Sequence, residues 1–118
     1  MGARPVTMTV KNFTSKLLIL DSKKAEHGKF VTDPPSTIEA EGVWKCSAND
    51  GAMIGPKGEV CYKTADDSFK VTFFYNHPYG SATSSYRVTP NPSDALTYDI
   101  KGSFEGHDQD ITFELYAN

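Results

Sequence analysis

Apolar residues recur at every second position along most of this chain. Val6, Met8 and Val10 alternate with Thr7 and Thr9; Phe69, Val71, Phe73 and Tyr75 alternate, as do Leu96, Tyr98 and Ile100, and Ile111, Phe113 and Leu115. A period of two is that of a strand with one face on a core and one in water. Shorter apolar runs fill the gaps at Lys16 to Asp21, Gly28 to Val31, Glu59 to Tyr62 and Tyr86 to Val88. Thr37 to Ser47 reads as one long strand with Ile38, Ala40, Trp44 and Cys46 on one face. Turn residues punctuate these runs: Asp33-Pro34-Pro35, the glycines from Gly51 to Gly58, Asp66-Asp67-Ser68 and Pro90-Asn91-Pro92. The pattern predicts an all-β fold, an antiparallel β-sandwich of about nine short strands in a single domain over residues 1–118. Ser22 to Glu26 is a weak helical candidate, too short to hold alone.

The segment from Val71 to Ser81 carries the most information. It begins as a strand and stops at His77-Pro78, because proline has no N–H for a ladder. Tyr79 and Tyr86 follow the stop. The aromatic residues in strand phase read as core: Phe69, Phe73, Tyr98, Phe104 and Phe113, with Trp44 in phase with Ile38 and Cys46. Phe30, His77, Tyr79 and Tyr86 lie at strand ends beside prolines. Rings at a sandwich rim suit packing at the core edge, a sugar face or a membrane interface, where tyrosine keeps a polar tip in water.

Charge and motif content narrow the chemistry. A net charge of −3 lacks the basic footprint of a nucleic-acid binder. His27, His77 and His107 have no partner at metal-ligand spacing, so no metal and no cofactor is expected. Gly55-Pro56-Lys57-Gly58 lacks the end of a phosphate loop and reads as a tight turn. Asp66-Asp67 and Asp108 to Asp110 read as solvated turn acids, and no nucleophile stands beside a base, so an enzyme is not expected. Asn12-Phe13-Thr14 matches a glycosylation sequon. Cys46 and Cys61 flank the glycine-rich turn and could face each other across a hairpin; spacing alone leaves them bonded or free. Met1 to Val6 has no apolar signal region. The expectation is therefore a protein held inside the cell, or in a crystal inclusion, until release, which then acts extracellularly.

Three stretches together resemble the aegerolysin family, most of all its bacterial insecticidal branch. Gly28-Lys29-Phe30-Val31-Thr32-Asp33-Pro34 is similar to that branch's Gly-Arg-Trp-x-Thr-x-Pro. Ser47 to Tyr62 looks like its glycine-rich turn and following strand. Phe73 to Tyr86 resembles the segment aromatic-x-Asp-x-Pro-aromatic-x-Gly-Ser, which ends on an aromatic. The likeness runs from about Thr7 to Leu115. It implies a β-sandwich that binds membrane lipid, often in sphingolipid-containing membranes, and acts with a larger partner that forms the pore. Of the family's lipid-facing aromatics, Phe30, Tyr79 and Tyr86 match in position, and His27 stands where some members carry tryptophan. His77 and Asn76, where aspartate is common, complete the lipid-binding set. Lys57 replaces an acid of the usual turn. Two other readings fit the residues. One is a lectin-like carbohydrate-binding module, with Asn76, Asp33 or Asn91 bonding a sugar. The other is a structural or storage protein whose rim aromatics pack in a homo-oligomer.

Overall fold

The computed structural model describes residues 4–51, 53–79 and 83–118; Met1, Gly2 and Ala3 of the N-terminal reading, and Gly80 and Ser81 of the aromatic segment, lie outside them. Among the described residues ten strands form two five-stranded sheets. The first sheet has the order β3 (Lys29–Thr32), β5 (Glu41–Ser47), β1 (Val6–Phe13), β10 (Gln109–Ala117), β9 (Leu96–Gly102). The second runs β4 (Thr37–Ile38), β2 (Leu18–His27), β6 (Lys57–Thr64), β7 (Lys70–Asn76), β8 (Ser85–Asn91). Every one of these ladders is antiparallel except one: β1 and β10 run parallel in the middle of the first sheet.

The alternating residues do what their period predicts. Val6, Met8 and Val10 of β1, Ile111, Phe113 and Leu115 of β10, and Val71, Phe73 and Tyr75 of β7 are fully buried between the sheets. Trp44 joins the two layers. Its ring lies 6.5 Å from Phe113 within its own sheet, and 5.6 Å from Phe73 and 6.3 Å from Tyr62 across the core. Aromatic pairs at such separations add about 0.5–1.5 kcal/mol each beyond their buried area.

Several expectations are corrected. Thr37 to Ser47 is not one strand. The chain crosses between sheets at Glu39 and Ala40, so β4 pairs with β2 and β5 with β1, which supplies the tenth strand. Ala40, at the crossing, is exposed. Ser22 to Glu26 is strand, because the ladder with β6 continues to His27 through two bulges. Long-range pairing there overrides a weak local helical preference. Tyr98 and Phe104 are not core: they are 42% and 37% exposed. Tyr98 stands in the inward-facing row of β9, opposite Leu115, but β9 is an edge strand and that position stays open to solvent.

The cysteines do not pair. Cys46 lies in the first sheet with its side chain in the core, whereas Cys61 lies in the second, between the buried Val60 and Tyr62, and so faces outward. Both are free, on different sheets rather than across one hairpin. Asn12 of the sequon is buried, with its amide donating to the carbonyls of Lys16 at 2.7 Å and Glu39 at 2.8 Å. It braces a turn and offers no free amide for a glycan.

Candidate functional site

One end of the sandwich gathers most of the predicted residues. In the second sheet His27, Lys57, Asn76 and Ser85 stand in one row across the strands. In the first sheet Lys29 faces Ser47, and Cys46 faces Val6, which in turn faces Gln109. Loops from both sheets close over this end, and glycines permit the close approaches. A Cβ on Gly55 would lie 1.8 Å from the His77 carbonyl oxygen, and one on Gly28 2.3 Å from that of Ser47. Gly28 also has φ of +85°, a left-handed turn between β2 and β3 that few other residues adopt.

His77 is the pin of this end rather than part of its surface. It is fully buried. Its Nε2 lies 2.7 Å from the His107 carbonyl oxygen, which can only accept, so Nε2 carries the proton and donates. Its Nδ1 then accepts from the Ser84 hydroxyl, also at 2.7 Å. The His77 backbone N–H donates to the Pro56 carbonyl at 2.9 Å. The imidazole therefore ties the loop after β7 to the loop before β10, and the backbone of the same residue holds the loop after β5. Burial pushes its pKa below the ordinary value, so the neutral form is held; the Arg4 and His107 charges act in the same direction, and the bond to the His107 carbonyl and the Asp108 carboxylate oppose them.

Tyr86 is likewise structural. It is 8% exposed, and its hydroxyl donates to Gln109 Oε1 at 2.5 Å. Neither His77 nor Tyr86 can turn its ring to a ligand without opening the core, so both leave the set of surface contacts. The other four remain accessible. Phe30 is half-buried, edge-on to Tyr75 at 6.5 Å, with Lys23 Nζ 5.4 Å from its ring centre. Tyr79 is half-buried with the Arg4 guanidinium 5.2 Å from its ring centre. His27 is exposed, and Asn76 is half-buried at the end of β7.

The strongest apolar feature of this end was not among the predicted residues. Met53 and Ile54 are 78% and 56% exposed, side by side on the loop that leaves β5. The signal in the sequence is two adjacent large apolar residues inside a glycine-rich turn, where polar residues are the norm. At the base of that loop a groove of about 480 Å³ opens between Pro5, Lys29, Phe30, Val31, Lys45 and Ser47. Lys29 is 3.5 Å from Asp50, whereas Lys45 forms no ion pair among the described residues. The site thus offers two cations in a groove and an exposed apolar tip beside it. Among the described residues no three His, Cys, Asp or Glu side chains cluster in a way that could hold a metal ion.

No family model matches the sequence, and no curated protein matches it. Solved structures do match in shape. RahU protein, solved in complex with a TRIS molecule, superposes with a TM-score of 0.82 at 17% identity, over 98% of this chain and 96% of its own. IP-1A from Alcaligenes faecalis gives a TM-score of 0.74 at 15% identity, covering 98% of this chain and 92% of that one. Nakanori, described as a lipid binding protein, gives 0.73 at 19% identity, covering all of this chain and 72% of its own. At these identities the likeness establishes a shared fold, the aegerolysin-like β-sandwich.

Proposed function

We propose that this protein binds membrane lipid through the loop end of the sandwich. The observation that carries the reading is the pairing of an exposed apolar tip, Met53-Ile54, with a groove that holds Lys29 and Lys45. An apolar tip enters the interfacial region of a bilayer, and lysines at its base meet lipid phosphates. Phe30 lines the groove and Tyr79 packs against Arg4, both as interfacial rings, with His27 and Asn76 as polar contacts. The shared fold with a lipid binding protein, Nakanori, supports the same reading.

We further propose that the protein is the small component of a two-component pore-forming toxin, cytolytic or insecticidal, that acts on sphingolipid-containing membranes. Its two sheets pack around one core, and turning them to a bilayer would expose Trp44, Phe73 and Phe113. No helix of the described residues is long and apolar enough to cross a membrane. Docking therefore falls to this chain and piercing to a larger partner, supplied after release outside the cell.

Flotation with vesicles that differ only in sphingolipid head group tests the first proposal. Burying a large apolar side chain is worth about 1.5–3 kcal/mol when complete. Scaled by their exposed fractions, Met53 and Ile54 together supply roughly 2–4 kcal/mol, or about 30- to 1,000-fold in affinity. The variant Met53→Ser/Ile54→Ser should lose that much binding. Unchanged flotation would refute docking through this tip, and competition by free sugar would favour a lectin. Dye release from vesicles by the protein alone would refute the two-component part.

A further inference from the structure

The far side of the first sheet carries an unprotected edge. Among the described residues β9 pairs on one side only, with β10, over seven residues in an unbroken register from Leu96 to Gly102. Natural edges are blunted by prolines, bulges, brevity or charged side chains. The neighbouring edge, β8, carries Pro90; β9 has no proline and no bulge, and its only blunting residues are the oppositely charged Asp99 and Lys101. Its inward row is covered at Leu96 but open further along, where Tyr98 is exposed. Ile100 stands opposite the buried Phe113 yet is only half-buried, and a cleft of about 360 Å³ opens between Ser84, Ser85, Tyr86, Ile100 and Phe104. An added strand would cover that row and satisfy the free backbone groups.

The charges select the strand. The outer row of β9 presents Asp99 and Lys101. On the closed side Asp99 faces a like charge, Glu114, which bonds Lys101 at 3.0 Å instead. An antiparallel neighbour must keep inward rows on one face, which restricts the register to steps of two. With Ile100 opposite Ile100 of a second copy, Asp99 falls opposite Lys101 of that copy, and the same pair recurs by symmetry. Tyr98 then meets Gly102, which has no side chain to obstruct it. The edge is self-complementary, as a two-fold interface requires.

We propose that two copies of this chain associate through β9, antiparallel and centred on Ile100, joining their first sheets into one continuous sheet. Lys101 has three donors and can hold Glu114 and the second copy's Asp99 together. Antiparallel pairing sends the two loop ends in opposite directions. If those ends dock on lipid as proposed above, the dimer bridges two membranes.

Sedimentation over a concentration series, without lipid, tests the pairing. The wild type should associate. Asp99→Lys and Lys101→Glu should each be monomeric, since each places like charges opposite one another. Mixing these two variants should restore association, because each outer-row lysine of the first then faces a carboxylate of the second. The doubly exchanged Asp99→Lys/Lys101→Asp should also associate. A wild type that stays monomeric, single variants that associate like it, or a mixture that does not recover would overturn the proposal. In a second arm the wild type should cluster vesicles, and the single variants should bind without clustering. Vesicles left unbound by every form would count against lipid docking alone, while the sedimentation result would stand.

Discussion

Replacing His77 with phenylalanine keeps a buried ring of similar size and the backbone bond to Pro56, and removes both side-chain hydrogen bonds that join the loop after β7 to the loop before β10. Each bond contributes about 1 kcal/mol net, and the His107 carbonyl left unpartnered costs a further ~1–3 kcal/mol. The expected loss is about 3–5 kcal/mol, or roughly 10–20 °C in Tm for a chain of this size. A second signature separates this role from simple packing. The folded state holds His77 neutral with a lowered pKa, while the unfolded chain titrates near the ordinary value of 6.5. The folded state therefore binds fewer protons, and stability is complete above that value and declines as pH falls through the lowered folded pKa. The carboxylates of Asp50 and Glu114, also lowered, act only further down, below their ordinary 3.8 and 4.5. Thermal unfolding by circular dichroism at a series of pH values should show a wild-type decline beginning below about 6.5. The His77→Phe variant should be less stable but flat across that upper window. A variant with the same acid slope as the wild type would refute the assignment of that slope to His77.

Three further outcomes follow from the core. Gly58→Ala places a Cβ 2.1 Å from the Lys24 carbonyl oxygen and 2.7 Å from the Tyr75 hydroxyl, so chemical denaturation should show a loss of about 1–3 kcal/mol. Cys46 is buried and its thiol pushed up to about 12 by burial, with Tyr75 opposing, so a thiol reagent should modify Cys61 alone in the native protein and both cysteines after denaturation. The single tryptophan, Trp44, is fully buried in the centre of the sandwich, so its emission maximum should stay fixed when vesicles are added; a shift would mean that docking opens the core.

The alternating rows were legible because the inward positions of β1 and β7, and those of β10 up to Leu115, are all buried. What alternation does not encode is which sheet a strand joins. The break at Glu39 and Ala40 carries neither proline nor glycine, so one long strand and two short ones in different sheets look alike. Tyr98 has the phase of a core residue and the environment of an edge, a property of its neighbours rather than of its own segment. At the loop end, His77, Tyr79 and Tyr86 are equivalent in sequence, each an aromatic near a strand terminus. Hydrogen-bond partners brought from 23 and 30 residues away decide that Tyr86 and His77 are internal. Met53-Ile54 is an anomaly of composition inside a glycine-rich turn, whose punctuation encodes a loop but not which of its side chains stay exposed.

The parallel pairing of β1 with β10 has a practical consequence for handling the molecule. β1 starts beside the loop end, with Val6 opposite Gln109, and both strands run away from it together to Phe13 and Tyr116. A label joined ahead of Val6 therefore sits among the proposed lipid contacts, whereas one joined after Ala117 leaves at the opposite pole. A fluorophore, affinity handle or surface tether on that distal strand end would hold the protein with its loop end outward, and would leave the Met53-Ile54 tip free to meet a bilayer.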